Sequence, residues 1–286
     1  MRTYHLTFVA KGRQPPFPGE VARRAAVRAL IRVGGAWIVL FCLVDDHVHV
    51  VVLCEPADVR RIARSLHMTL TPRASVPLLD AHVEPVEKRS HMEWLVRYVV
   101  GQVDHHALHA HPALWSGSCF ADLVGARVLP GWRANIDEAL PRHTVADALK
   151  AAGLDLRALE PIRDAGLREL GVRRIVSAAA DAVGADPALP GRTAEVVEAR
   201  RVAITLARGV DFDRAEIAHA LGLTVHGVAK LARTPASPEC VAAARVRLGI
   251  EVAVAATGSP VASDRAMVKG RRAESTNPLR SGERRP

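Results

Sequence analysis

The stretch Trp37 to Cys54, WIVLFCLVDDHVHVVVLC, leaves the chain little freedom in how it folds. Two apolar runs rich in Val, Ile and Phe flank a polar break at Asp45-Asp46, a pattern that reads as a β-hairpin. Side chains two apart on a strand share a face. His47 and His49 are therefore expected to point one way, while Val48, Val50 and Val52 point the other way into a core. Two imidazoles side by side on a rigid strand make half of a divalent-metal site. Such a pair is often incidental, so its meaning depends on what the rest of the chain brings near it.

A second constellation follows some fifty residues on. Met92 to Val103, MEWLVRYVVGQV, is apolar at Leu95, Val96, Val99, Val100 and Val103, the spacing of a half-buried helix. Tyr98 and Gln102 are four apart and share a helical face. The chain has only two tyrosines, Tyr4 and Tyr98, so few phenols compete for the role of nucleophile. Gly101 inside such a helix costs roughly 1 kcal/mol relative to alanine and leaves room for close packing beside Gln102.

His-hydrophobic-His on a strand, followed by Tyr-x-x-x-Gln on a helix, resembles the HUH superfamily of single-strand DNA nucleases. Within it the chain is most similar to the single-tyrosine transposases, including the REP-associated ones. The likeness rests on His47, Val48, His49, Tyr98 and Gln102 and covers roughly residues 1–127. It implies an α+β fold: a ferredoxin-like antiparallel sheet with helices on one face and the His-x-His strand at its centre. It also implies a divalent metal, Mg²⁺ or Mn²⁺, held by His47, His49 and Gln102, with Tyr98 as nucleophile. One position departs from the family. Pro-Asn usually precedes the first histidine, whereas Asp45-Asp46 stands here, either as acidic groups behind the metal ligands or as a diverged turn.

Read in order, the elements are strand, helix, strand, strand, helix, strand, the split βαβ pattern, with a further helix behind it. Thr3 to Ala10 alternates as a strand and Gly19 to Val33 has helical spacing; the hairpin comes next. A second helix runs from Ala57 to about Leu70 and a last strand from Leu78 to Val86, just before the Tyr98 helix. The histidines His105, His106, His109 and His111 invite a zinc reading, but no cysteine or carboxylate pattern nearby completes a tetrahedral set, so they read as a solvated helix end. Ser116-Gly117-Ser118 reads as a surface turn.

Residues 128–192 are rich in Ala and Leu and broken by prolines, as expected of an all-α connector; Thr144-x-x-Asp147 within them has the form of a helix N-cap. Residues 193–256 contain DRAEIAHALGLTVHGVAKLAR, Asp213 to Arg233, which fits a helix-turn-helix. There Ala218 lets the helices cross, Gly222 makes the turn, and Val228 and Leu231 bury the second helix. Thr224, His226, Lys230 and Arg233 would then face the major groove of duplex DNA. Residues 257–286, with seven basic against three acidic side chains, read as a disordered basic tail.

Composition narrows the partners. The 286 residues carry a formal charge of +9, mostly arginine, whose forked guanidinium suits phosphate. A nucleic-acid partner is the natural reading, although a GC-rich genome also raises Arg and Ala. Cys42, Cys54, Cys119 and Cys240 form no CxxC pair and look like small core residues of a reducing cytoplasm. The N-terminus lacks the apolar run of a signal peptide, and no uncharged apolar stretch reaches the roughly 18 residues of a membrane span. The expected location is the cytoplasm, with the nucleoid.

A free tyrosine has a pKa of about 10, so its attack on a phosphodiester needs help at both nucleophile and electrophile. The resemblance implies that help comes from the metal, that the substrate is single-stranded or hairpin DNA, and that the product is a 5′-phosphotyrosine with a free 3′-OH. Relatives work as monomers or as dimers that exchange the Tyr helix, and both stay open here. Two other readings are a non-catalytic helix-turn-helix regulator derived from a transposase and a replication initiator or relaxase. The latter fits less well with a short N-terminal domain and a single candidate tyrosine.

Overall fold

In the computed structural model of the chain, residues 1–134, 136–160 and 162–258 are described. The N-terminal half is α+β and holds one four-stranded antiparallel sheet: β1 (Arg2–Val9), β2 (Ile38–Leu43), β3 (His47–Cys54) and β4 (His82–Val86). The sheet order is β2-β3-β1-β4. Each βαβ crossover therefore skips one strand, as a split βαβ unit requires. β1 and β3 are the inner strands. Thr7 stands opposite His49 and Val9 opposite His47, while Cys42 of β2 faces His49 from the other side.

The period of two in these strands sorts the side chains. Tyr4, Leu6, Phe8, Val48, Val50 and Val52 share one face and are buried. Two antiparallel helices, α1 (Gly19–Gly34) and α2 (Val59–Leu70), cover that face through Leu30, Ile31, Ile62 and Leu66. A fully buried Val or Leu side chain contributes roughly 1.5–3 kcal/mol, so this layer is the main stabiliser of the N-terminal half. Gly34 ends α1 where nothing larger fits, since a Cβ there would lie 2.1 Å from Ile38 Cδ1.

His47 and His49 point to the opposite face, as their spacing predicts, and α3 (Arg89–Val100) lies over it. The helix expected over Met92 to Val103 starts earlier and stops sooner. Gly101, at φ −79° and ψ 2°, breaks it, and a single turn, α4 (Gln102–His105), resumes beyond. Glycine is the residue least costly to pull out of helical geometry. Tyr98 and Gln102 therefore sit on two segments joined at a bend instead of on one continuous face.

The last strand is shorter than the sequence reading, with Leu78 making only an isolated bridge to Ala10. Trp115 to Cys119, expected in part as a surface turn, lies along the outer edge of β2. Leu43 N–H donates to Gly117 O (2.9 Å), Cys119 N–H to Phe41 O (3.0 Å) and Trp115 Nε1 to Leu43 O (2.7 Å). An edge strand with unpaired amides invites a partner chain, and this segment occupies it instead.

Beyond the sheet the described chain is helical: α5 (Val145–Ala151), α6 (Val172–Ala182), α7 (Ala194–Gly209), α8 (Arg214–Leu221), α9 (Val225–Leu231) and α10 (Pro238–Ala256), with a further helix over Asp164–Leu170 before α6 and shorter turns elsewhere. The Thr144–Asp147 cap at α5 is a full capping box. α6, α7 and α10 pack through small residues, among them Ala179, Ala203 and Ala244. A separate cluster joins Phe120, Leu149, Ile250 and Val254 to Val100 of α3.

Charge also crosses between the halves. Arg24 of α1, only 4% exposed, binds Asp181 of α6 and its own Glu20, and donates to Ala185 O at 2.9 Å. Arg247 of α10 reaches Asp181 at 2.7 Å. Burial works to raise the Asp181 carboxyl, but the two guanidinium groups outweigh it and hold its pKa below the usual value. All four cysteines are buried and free. No helix among the described residues is long and apolar enough to cross a membrane. The expected basic tail lies, from Ser259 onward, outside the described residues.

Candidate active site

On the α3 side of the sheet the two strand imidazoles meet. His47 Nε2 and His49 Nε2 are 2.6 Å apart, and both rings are buried. Only one proton fits between two such nitrogens, so at least one lone pair points into the gap. Each ring is held from behind. His47 Nδ1 lies 2.5 Å from Asp46 Oδ1, and His49 Nδ1 lies 2.9 Å from His5 Nε2. A carboxylate on Nδ1 holds the N–H there and leaves Nε2 as the donor, the usual arrangement behind a metal-ligating histidine.

Gln102 brings its side chain to the same place, close enough to the His49 ring to act on its pKa as a hydrogen-bonding neighbour. The side chain is fully buried, and while its Nε2 donates to Tyr98 O at 3.3 Å, its Oε1 makes no well-formed hydrogen bond among the described residues. An orphaned buried oxygen is costly, and a cation is a partner that would satisfy it. Two imidazole nitrogens and one amide oxygen form a neutral donor set that fits a divalent ion. Burial lowers the pKa of His47 and, with repulsion from His47 and His5, takes His49 down to about 2. His5, buried beside Glu84, falls to about 4. The three rings are thus neutral at pH 7, the form a metal requires.

Tyr98 completes the group. Its ring centroid is 5.2 Å from that of His49 and 6.4 Å from that of His5. On its outer side it stacks on Trp94, a side chain left 46% exposed. The rings of His91 and His105 continue this file in either direction.

The acidic pair of the hairpin turn is also built into the site. Asp46 bonds Arg13 at 2.9 Å as well as His47, and His106 Nδ1 lies 2.7 Å from Asp45 Oδ1. Hydrogen bonding to Asp45 raises the His106 pKa above its usual value. Asp46, His47 and His106 bring their ligand atoms within 4.8 Å of one another, a second cluster of metal-ligand type. Carboxylates do reach His106, from a turn some sixty residues earlier that local spacing does not bring to mind. Of the others, His111 caps the turn at Pro112–Leu114 by accepting from Ala113 N–H, and His105 and His109 are exposed.

The chain matches no protein-family model, no curated protein and no solved structure. What it does must be read from its own side chains.

His5 was not singled out in the sequence, nor was Trp94. His5 has a readable signal, being in alternation with Thr7 on the strand that pairs with His49, but only the pairing register reveals it. The four residues expected to face duplex DNA stand together on and beside α9, 7 residues long, and all are exposed. Gly222 at φ 60° makes the left-handed turn before it. Thr224 Oγ1 accepts from Gly227 N–H at 3.0 Å as the N-cap, so its hydroxyl is partly committed. His226, Lys230 and Arg233 carry no such tie.

Proposed function

We propose that this chain is a metal-dependent single-strand DNA nuclease and strand transferase of the HUH single-tyrosine type, acting through Tyr98. The observation that carries the reading is the meeting of His47 Nε2 and His49 Nε2 in one buried spot beside the Tyr98 ring, with the buried Gln102 side chain next to His49. These atoms would hold Mg²⁺ or Mn²⁺, which when bound polarises a non-bridging phosphate oxygen. We favour this donor set over the Asp46–His47–His106 cluster because Asp46 already neutralises Arg13 and His106 is drawn toward its cationic form by Asp45.

The residues divide the work. Asp46 and His5 fix the two imidazoles from behind, so that their lone pairs aim forward without rearrangement. Tyr98 Oη attacks phosphorus; the Oη–P bond forms and the P–O3′ bond breaks, with the phenolic proton balancing a free 3′-OH on the leaving strand. A 5′-phosphotyrosine conserves the bond energy, and attack by another 3′-OH reverses the step and rejoins DNA. Tyr98 faces the histidines of its own chain, so one chain suffices. Trp94 offers a face for a neighbouring unpaired base, and a cytoplasmic, nucleoid-associated location follows from the substrate.

A second reading, a DNA-binding regulator with an idle N-terminal half, is favoured by the exposed His226, Lys230 and Arg233 on a helix-turn-helix. One experiment separates the two. The chain is incubated with Mn²⁺ and hairpin or single-stranded DNA labelled at its 3′ end, and the protein band is inspected after denaturation. The nuclease reading expects label on the protein, absent in Tyr98→Phe and with EDTA. Undiminished adducts in Tyr98→Phe reject Tyr98 as nucleophile, and adducts with EDTA present reject the metal.

A further inference from the structure

α3 has a second working flank. Where Tyr98 turns to the histidines, the adjacent Arg97 turns to a cavity of about 370 Å³ between α3 and the segment that leads into α5. Arg97, Arg142 and Lys150 line this cavity from three places in the chain, and all three are exposed at its mouth. Its two carboxylates are already engaged. Glu93 takes Arg89 at 2.8 Å, and Asp147 Oδ2 accepts from Thr144 N–H at 2.9 Å and from Thr144 Oγ1 at 2.8 Å as part of the α5 capping box. Hydrogen bonding to Thr144 leaves the Asp147 charge in place and lowers its pKa, and the Lys150 ammonium is near enough to add to that; among the described residues none of Arg97, Arg142 and Lys150 forms an ion pair, and the rim stays net positive.

His143 sits between them. Its side chain is only 6% exposed, and its Nε2, closed off from solvent, has no hydrogen-bond partner among the described residues. Its Nδ1 is 3.9 Å from the nearest Asp147 oxygen, beyond hydrogen-bond range. Burial lowers the His143 pKa, so the ring is neutral near pH 7 and can present one N–H. The buried ring backs a cavity whose rim carries three cations without ion-pair partners, a setting for an acceptor with several oxygens.

We propose that this cavity binds a phosphate group, held by Arg97, Arg142 and Lys150. A lone carboxylate could meet one guanidinium fork, but three cations, one from α3 and two from the 142–150 segment, match an anion of higher charge with oxygens in more than one plane. The phosphate comes either from a small compound or from a DNA strand running past α3, Arg97 being next to Tyr98 in the chain. The strand version rests on the nuclease reading; the site itself does not.

The test uses the full chain without added metal, so that it cannot fail through loss of cleavage. Pyrophosphate binding is measured by calorimetry and oligo-dT binding by fluorescence anisotropy, for wild type and for Arg142→Ala/Lys150→Ala. Both positions are exposed; should the circular dichroism of that variant change, Lys150→Glu replaces it. The proposal expects pyrophosphate affinity to fall at least tenfold in the variant. If the phosphate belongs to DNA, oligo-dT affinity falls with it, and the slope of log K against log salt flattens by about 0.7 for each lost phosphate contact. Loss of pyrophosphate binding with oligo-dT untouched assigns the site to a small phosphate compound. Indistinguishable binding of both ligands by wild type and variant overturns the proposal, whatever becomes of Tyr98.

Discussion

Trp94 lies flat against Tyr98, with ring centroids 4.5 Å apart and planes 17° from parallel, on the outer side of α3. The pair leaves one indole face open to solvent beside the proposed nucleophile. Base–aromatic stacking is worth about 1–3 kcal/mol per base. Trp94→Ala is therefore expected to weaken oligonucleotide binding by roughly 5- to 150-fold while the folded state is kept, since the side chain is half exposed. Anisotropy titration checks it, and unchanged affinity removes Trp94 from the DNA path.

Gln102→Leu replaces an amide whose oxygen is buried without a partner. Deleting an unsatisfied polar atom relieves a cost of about 1–3 kcal/mol, offset by the lost 3.3 Å bond to Tyr98 O. The metal-free variant is expected to melt no lower than wild type. Wild type should gain about 2.7 kcal/mol at a Mn²⁺ concentration a hundred times its Kd, and the variant should gain much less. Equal Mn²⁺ stabilisation of the two proteins, read by thermal denaturation, would rule out Gln102 as a ligand.

Gly101→Ala tests the bend. In an ordinary helix the change stabilises by about 1 kcal/mol. Here the new Cβ would lie 2.9 Å from the Arg97 carbonyl oxygen, a backbone atom that can move only with the helix. We expect a net loss of about 1–2 kcal/mol and a weaker response to Mn²⁺, because Gln102 shifts relative to His49. A urea midpoint that rises would show that the bend is incidental.

The site histidines make the metal-free protein sensitive to acid. His5 and His49 have folded pKa values of about 4 and about 2, below the 6.5 of an unfolded ring. Their contribution is complete above pH 6.5 and is lost as pH falls, because the unfolded chain takes up protons that the folded one refuses. The loss is about 1.4 kcal/mol per pH unit per ring, hence about 2 kcal/mol per ring at pH 5. His106, raised by Asp45, acts in the opposite sense. Urea unfolding at pH 7.5 and 5.0 should therefore show a drop, and His5→Gln should reduce it by about one ring's worth. Stability that is flat over this range would contradict the burial of these rings.

Local pattern made much of this legible. The hairpin, its inward valines and its paired histidines follow from alternation, and the helices at Gly19, Val59 and Arg89 from their apolar stripes. The Thr144–Asp147 box follows from cap chemistry. What escaped depends on distance in the chain. His5 meets His49 across 44 positions and Asp45 meets His106 across 61, and no periodicity encodes such pairings. The end of α3 escaped for another reason: one glycine can sit within a helix or break it, and packing decides. The His143 cavity had no signal at all, since its cations come from α3 and from the 142–150 segment.

The Arg24–Asp181–Arg247 cluster has a consequence for how DNA would be met. Breaking a buried charge pair costs roughly 3–5 kcal/mol, so the sheet half and the bundle that bears α9 do not swing freely about a tether. If one grips duplex and the other cuts an unpaired strand, the interval between grip and cut is a fixed span, dictated by protein dimensions. Targets whose hairpin lies at another spacing would be passed over even when both sequence elements are intact.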